Sequence, residues 1–239
     1  MTIEEMLLEQ RGLAYENLWA NIYHDSIVGS RWLQNQPFTP ARAAIGYPTL
    51  YALYRILDEF QPKSILEMGL GQSTKMIGSY VKWKVGRNEE CRHVVVEHDR
   101  SWIDFFNNVF ELSSGTEVVQ LDLRKVEFDA PGGGKTEVNM YSGFAERLKD
   151  QKFDLIFIDG PFGSPVYSRV DIIDLMPECL KDSFILMLDD AVRQGEQNTL
   201  TMISNFLKEC GIKHWMNYYT GQKATAIITS NDLHFYCTM

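Results

Sequence analysis

The chain has 239 residues, 45% of them hydrophobic, and a formal net charge of −9. This length fits one large domain, and the negative charge disfavours non-specific binding to nucleic acid or to an anionic membrane. No apolar run approaches the roughly 20 residues that span a bilayer, and the four cysteines lie far apart. We therefore expect a soluble, cytoplasmic protein with reduced thiols, without a zinc site or disulfides.

The N-terminal part of the chain is predicted to be helical. Apolar residues at helical spacing predict one or two helices over residues 2–24, followed by a loop-like stretch, 25–47, that contains Pro37. Pro48 is expected to open a further helix that extends to about Phe60. We interpret the N-terminal apolar residues as core or homodimer contacts. The alternative is that this segment closes over the ligand crevice as a lid.

Short apolar runs alternate with amphipathic segments in the rest of the chain. Strands are predicted from residue 64 and over residues 93–97, 117–121, 153–159 and 183–188, with a hairpin over 214–219 and 224–229. Residues 129–143 are expected to form an irregular insertion, and residues 172–180 a helix. Strands that alternate with helices indicate a parallel sheet, so we divide the chain into an N-terminal helical extension or lid, 1–47, and one globular unit, 48–239.

Residues 64–74 combine a buried strand, two glycines and the start of a helix. Gly69 and Gly71 allow positive φ angles and let a ligand approach the backbone closely. Ser73 or Thr74 can cap the helix, whose N-terminus presents unpaired N–H groups. A turn that binds no ligand is the alternative, because a lone Gly-x-Gly motif has low specificity.

Acidic residues lie at the ends of five predicted strands. They are Glu67, Glu97, Asp122, Asp159 and the pair Asp189 and Asp190. In a doubly wound sheet the carboxyl ends of parallel strands share one edge, and ligands bind there. We expect these acids to meet around one crevice, although an acid after a strand also serves as a helix cap or turn former.

The order, spacing and residue types of these motifs, over residues 45–230, resemble class I S-adenosylmethionine-dependent methyltransferases. The resemblance implies an α/β fold: a Rossmann-like, doubly wound, mostly parallel seven-stranded sheet with a C-terminal antiparallel hairpin and an N-terminal helical extension. It also implies a cofactor site in which the glycine loop contacts the methionine part of S-adenosylmethionine and Glu97 accepts hydrogen bonds from the ribose hydroxyls. The implied cofactor-binding residues are Glu67, Gly69, Gly71, Ser73, Thr74, Glu97, His98, Trp102, Asp122, Leu123 and Asp159.

A narrower resemblance connects the chain to metal-dependent O-methyltransferases of the catechol type and of the sugar and macrolide type. Its basis is the apolar strand that ends at Asp159, followed by the pair Asp189 and Asp190 after the next strand. The resemblance implies that these three carboxylates bind Mg²⁺, which prefers oxygen ligands and would lower the pKa of a substrate hydroxyl. The alternative is that Asp159 acts alone or holds the cofactor, while the pair caps the next helix.

The sequence departs from the catechol-type pattern at the catalytic base. These enzymes place a lysine three residues after the first acid, where this chain has Phe162. The implied catalytic residues are Asp159 and Asp190, and the base stays open between these two and a metal-bound hydroxyl. Arg169, near the predicted mouth of the site, is interpreted as a surface salt-bridge residue, with binding of a carboxylate or phosphate the alternative.

The function implied by the resemblance is methyl transfer from S-adenosylmethionine to an oxygen of a small hydroxylated molecule, with sugars among the candidates. A nicotinamide-dependent oxidoreductase is one alternative, but the third glycine of its fingerprint is replaced by Thr74 and the acid lies 26 residues after Gly71. The other alternative is a methyltransferase-like binding or scaffold protein without turnover. It stays open because the catalytic lysine of the catechol-type enzymes is missing and because fold alone does not establish activity.

Overall fold

Strands and helices alternate along most of the chain. The computed structural model describes residues 2–36, 38–40, 44–129 and 134–238. Pro37 and residues 130–133 of the predicted insertion lie outside the described residues. The α-helices are α1 (Ile3–Ser26), α2 (Tyr47–Arg55), α3 (Gln72–Gly86), α4 (Arg100–Val109), α5 (Phe144–Leu148) and α6 (Gln194–Glu209). The strands are β1 (Ser64–Met68), β2 (Arg92–Glu97), β3 (Thr116–Gln120), β4 (Leu123–Asp129), β5 (Lys135–Tyr141), β6 (Phe153–Ile158), β7 (Leu180–Leu188), β8 (His214–Thr220) and β9 (Ala224–Ser230).

A seven-stranded sheet forms the centre of the described structure, in the order β3-β2-β1-β6-β7-β9-β8. Strands β3, β2, β1, β6 and β7 are parallel, whereas β9 runs antiparallel to both β7 and β8. In the C-terminal hairpin, β9 therefore pairs with the parallel strand β7, and β8 lies at the edge of the sheet. A seven-stranded, mostly parallel sheet with a C-terminal antiparallel hairpin is what the sequence analysis expected, and the predicted fold class is confirmed.

Helices cover both faces of the sheet, which is why its central strands read as continuous apolar runs. Alternate residues of β6 point to opposite faces, Leu155 and Phe157 to one and Ile156 and Ile158 to the other. The first face packs on α2 and α3, and the second packs on α5 and α6. Every residue of β6 is buried, so this strand lies in the middle of the core.

The N-terminal segment folds into one long helix and packs beside the C-terminal hairpin. The carboxylate of Glu16 in α1 accepts hydrogen bonds from the backbone N–H groups of Tyr47 at 2.6 Å and Gln222 at 3.0 Å. The indole of Trp19 donates to the carbonyl of Thr220 at 2.9 Å. No helix in the described part of the chain is long and apolar enough to cross a membrane. The homodimer, the lid and the division at residue 47 stay predictions.

Two predicted elements are wrong. Where an irregular insertion was expected, β4 and β5 form an antiparallel hairpin, stabilised because Val138 and Met140 pack on Tyr167 and Val170. The predicted helix over residues 172–180 is a short 3₁₀ helix, Val170–Leu175, after which β7 begins at Leu180. Pro177 has no N–H to donate, so an α-helix does not continue through this segment.

Asp171 fixes the end of the β4–β5 hairpin to the 3₁₀ helix. Its Oδ1 accepts a hydrogen bond from the backbone N–H of Tyr141 at 2.6 Å, and its Oδ2 is buried without a hydrogen-bond partner among the described residues. Burial raises the pKa of Asp171 to about 7, although the hydrogen bond from Tyr141 opposes this. The folded protein therefore holds a proton on this carboxyl group at mildly acidic pH.

Replacing Asp171 with Asn should remove a pH dependence of stability. Between about pH 4 and pH 7 the folded state binds more protons at Asp171 than the unfolded state, so wild-type stability falls as the pH rises through this window. The Asn oxygen still accepts from Tyr141. We expect the free energy of unfolding of Asp171→Asn to rise relative to wild type by up to about 4 kcal/mol between pH 4 and pH 8, measured by urea denaturation.

The matched control is Asp182→Asn, at an exposed position, which should keep the wild-type pH profile. Parallel pH profiles of wild type and Asp171→Asn would contradict the assignment of this titration to Asp171.

Candidate active site

Two glycines after β1 have different surroundings. Gly69 has φ +98°, and a Cβ there would lie 3.2 Å from the backbone carbon and oxygen of Asp159, so the loops after β1 and β6 pack backbone against backbone. Gly71 has an extended backbone, φ −165°, and no atom of the described residues lies within 4 Å of the position a Cβ would take. Open space therefore lies beside Gly71 at the N-terminus of α3, a position that favours a negatively charged group.

The hydroxyl residues of this loop support it in a way that differs from the prediction. Gly71 itself is the N-cap of α3, and its N–H donates to Thr74 Oγ1 at 2.8 Å. Ser73 does not cap the helix, because its hydroxyl donates to Glu67 Oε1 at 2.5 Å. Glu67 is fully buried and also lies 3.0 Å from His93 Nε2. Glu67 and Ser73 thus support the loop from below and do not line the open space.

Glu97 closes the glycine loop onto the end of β2. Its Oε2 accepts from the N–H of Leu70 at 3.0 Å, and its Oε1 accepts from the N–H groups of His98 at 2.6 Å and Asp99 at 2.9 Å. Oε1 also lies 2.8 Å from His98 Nδ1, whereas Oε2 accepts only from Leu70 among the described residues and keeps one of its two acceptor positions. The predicted contacts of Glu97 with the ribose hydroxyls stay a prediction.

Aromatic side chains frame the same loop. The Trp102 indole donates to the carbonyl of Leu70 at 2.7 Å, and the His98 ring lies 6.5 Å from that of Tyr141. Tyr141, which the sequence analysis missed within its predicted insertion, places its hydroxyl 3.4 Å from the carbonyl of Val96. Two other implied cofactor-binding residues lie further along the chain, where Asp122 is exposed and Leu123 begins β4.

The three acids predicted at the ends of β6 and β7 do meet. Oxygen atoms of Asp159, Asp189 and Asp190 all lie within 4.8 Å of one another. Asp189 and Asp190 are buried, whereas the side chain of Asp159 is 32% exposed. Asp159 is therefore the member of this cluster that a substrate can reach.

Arg169 lies inside this acidic cluster and not on the surface, so its interpretation as a surface residue is wrong. Its side chain is only 3% exposed, and its Nη2 lies 3.0 Å from Asp159 Oδ1 and 3.1 Å from Asp190 Oδ2. Its Nη1 donates to the backbone carbonyl of Asp189 at 2.5 Å. Its Nε is 3.6 Å from a buried oxygen of Glu196. The guanidinium thereby ties together the loops that follow β6 and β7.

Lys223, which the sequence analysis did not single out, is a second cation in the cluster, with a side chain that is 13% exposed. The ammonium lies 2.7 Å from Asp189 Oδ2 and 3.1 Å from Asp190 Oδ1, and it donates to the carbonyl of Ala44 at 3.1 Å. Because β9 pairs with β7, the turn before β9 lies at the carboxyl end of β7. The backbone N–H of Ala191 donates to the carbonyl of Ala224 there, at 2.7 Å.

The cluster gives its carboxyl groups different proton affinities. Burial raises the pKa of Asp159 to about 7, although Arg169 opposes the increase. Burial alone would also raise the pKa of Asp190, but Lys223 and Arg169 outweigh it and lower that pKa. Such a separation is typical of sites in which one carboxyl group exchanges a proton and its neighbour stays ionised.

The donor set does not fit a resident Mg²⁺ ion. Magnesium demands about six oxygen ligands in octahedral geometry and usually keeps several waters. Both oxygens of Asp189 and of Asp190 already accept hydrogen bonds or ion pairs, from Thr225 and Lys223 for the first and from Lys223 and Arg169 for the second. The expected three-carboxylate metal site is assembled, but cationic side chains occupy its interior.

Comparisons with known proteins add resemblances in fold. No family model and no curated protein matches the chain. The similar solved structures include precorrin-6y C5,15-methyltransferase from Geobacter metallireducens (TM-score 0.46, 14% identity, 83% of this chain and 97% of that chain). They also include the O-methyltransferase NovP (TM-score 0.48, 9% identity, 75% of this chain and 76% of that chain). A third is a methyltransferase from Pyrococcus furiosus (TM-score 0.45, 15% identity, 90% of this chain and 98% of that chain). The fold assignment rests on the strand order of the sheet.

Removing the Arg169 guanidinium should destabilise the protein far more than removing that of Arg193. Arg193 also pairs with Asp190, at 2.9 Å, but its side chain is 49% exposed. We expect Arg169→Met to lower the free energy of unfolding by about 3–5 kcal/mol, because it leaves buried carboxylates uncompensated. Arg193→Met should cost about 1 kcal/mol or less. Denaturant unfolding of both variants checks this, and equal losses would contradict the role given to Arg169.

Proposed function

We propose that the protein is an S-adenosylmethionine-dependent methyltransferase that methylates an oxygen of a small hydroxylated molecule, with sugars among the candidate acceptors. The observation that carries the proposal is the open space at Gly71. This space lies at the N-terminus of α3, next to the loop that Glu97 closes, and the loop packs against the backbone of Asp159. A place for an anionic group, an acceptor for a hydroxyl and a partly exposed carboxylate thus adjoin one loop.

The residues around the loop fit the cofactor in this proposal. The open N-terminus of α3 would receive the methionine carboxylate, since free backbone N–H groups and the helix dipole favour an anion there. The remaining acceptor position on Glu97 would bind one ribose hydroxyl, and His98 and Trp102 would border the adenine. When bound, S-adenosylmethionine supplies an electrophilic methyl group on a positively charged sulfur.

Asp159 is the proposed general base. Its side chain is partly exposed and is held by Arg169, whereas Asp190 is buried and paired with Lys223. Asp159 is therefore placed to take the proton of an acceptor hydroxyl, and orientation by the surrounding loops supplies the rest of the catalysis. The proposal includes no metal-bound hydroxyl, because the cationic side chains leave no room for a resident metal ion.

The structure also bears on the two alternatives. The dinucleotide-binding fold of nicotinamide enzymes is built from two βαβαβ halves with six strands in the order 3-2-1-4-5-6. In this protein the sheet continues from β7 into the antiparallel β9, which disfavours that alternative. A binding or scaffold protein without turnover shares every cofactor contact proposed above, so turnover experiments distinguish it.

A side chain at Gly71 should block the cofactor and leave the fold intact. The extended backbone at Gly71 accepts any residue, and a Val side chain would fill the open space. We expect Gly71→Val to retain the wild-type melting temperature within a few degrees and to weaken S-adenosylmethionine binding at least 100-fold in calorimetric titration.

The matched control is Gly86→Val in the same helix, where a Cβ is equally free of neighbours and far from the loop. This variant should bind the cofactor like wild type. Wild-type affinity in a folded Gly71→Val protein would overturn the proposed position of the cofactor.

Asp159→Asn should separate cofactor binding from turnover. The amide cannot accept a proton at neutral pH, so transfer of labelled methyl groups to a panel of catechols and sugars should fall 10²–10⁴-fold, the usual contribution of a general base. Affinity for S-adenosylmethionine should stay within about threefold.

For wild type, turnover should rise with pH up to about 7 and level off above it, because Asp159 acts only when ionised. Undiminished turnover in Asp159→Asn would exclude it as the base.

A further inference from the structure

We infer that Arg169 and Lys223 take the place of a divalent cation at the carboxyl ends of β6 and β7, so that the protein keeps its three-carboxylate site assembled without metal. The inference concerns what fills this cluster and does not depend on methyl transfer. It starts from electrostatics, because carboxylates with oxygens within 4.8 Å of one another repel strongly when they are buried. Positive charge between them is therefore required.

Each of the two cations bridges two of the acids. Arg169 connects Asp159 to Asp190, at 3.0 and 3.1 Å, and Lys223 connects Asp190 to Asp189, at 3.1 and 2.7 Å. The result is a continuous chain of alternating charges in the order Asp159, Arg169, Asp190, Lys223, Asp189. Bridging of several carboxylates by one centre of positive charge is what a divalent ion would otherwise provide.

The site around Lys223 is complete for an ammonium group. An ammonium has three N–H donors, and Lys223 has three acceptors, on Asp189, on Asp190 and on the carbonyl of Ala44. The second oxygen of Asp189 accepts from Thr225 at 2.7 Å. A metal ion would have to displace this ammonium group to reach the two aspartates.

Both cations keep their charge in the folded protein. Burial opposes the charged form of each side chain, but the surrounding carboxylates outweigh it and raise the pKa of Lys223 and of Arg169. Neither side chain can vacate the cluster by losing a proton at neutral pH. Release of the cluster to a metal therefore requires removal of a cation by substitution.

The test is a titration with Mn²⁺ at pH 7.5, followed by the electron paramagnetic resonance signal of the free ion. Wild type should show no site tighter than about 1 mM, the weak end of natural oxygen-ligand cation sites. Lys223→Met should gain one site that is at least tenfold tighter, and Asp189→Asn added to it should abolish that site. The matched control, Lys213→Met, replaces an exposed lysine and should behave like wild type.

Thermal melting gives a second readout that needs no spectroscopic ion. The wild-type melting temperature should be the same in EDTA and in 10 mM MgCl₂, whereas that of Lys223→Met should be lower in EDTA and should recover in MgCl₂, because a ligand that binds only the folded state stabilises it. Lys223→Gln, which removes the charge and keeps a polar side chain, is the second variant and should respond in the same way.

Two results would overturn the inference. The first is a wild-type Mn²⁺ site clearly tighter than 1 mM that is lost in Asp190→Asn. The second is folded Lys223→Met and Lys223→Gln proteins that neither bind Mn²⁺ nor respond to MgCl₂. Because the readouts are metal binding and stability, failure of the proposed methyl transfer would leave them unaffected.

Discussion

The ion network at the carboxyl ends of β6 and β7 is the constraint on which the surrounding structure depends. Buried carboxylates require compensation, and the compensating cations come from distant parts of the chain. Arg169 fixes the loop after β6, Lys223 fixes the turn before β9, and the carbonyl of Ala44 attaches the N-terminal segment. Loops that would otherwise move independently are thereby held in one arrangement around the glycine loop.

The same network decides which groups are available for chemistry. Asp189 and Asp190 hold Lys223 and Arg169 in place through buried ion pairs. Asp159 has one oxygen on Arg169 and a partly exposed side chain, and it packs through its backbone against Gly69. Fixed charges and one reachable carboxylate are the arrangement expected of a preorganised site, in which positioning does much of the work.

The fold was largely predictable because its central strands are covered on both faces. Burial on two sides selects continuous apolar runs such as β6, and these runs are visible in a single sequence. The β4–β5 hairpin was missed for the opposite reason. Its first strand has no buried residue, and both strands carry charged residues with ion pairs such as Lys125 with Glu137, so its sequence resembles a solvated loop. Its packing against Tyr167 depends on tertiary contacts that local sequence does not encode.

The acids of the site were predictable from topology, but their partners were not. Parallel strands bring their carboxyl ends to one edge, which is enough to place Asp159 beside Asp189. Glu67 does not join this cluster. It lies within β1 and points into the core, where it contacts His93 and Ser73. Whether clustered carboxylates hold a metal or side-chain cations is decided by residues far along the chain. Lys223 reaches the cluster only because β9 is inserted beside β7, so the charge of the site is a property of the assembled sheet.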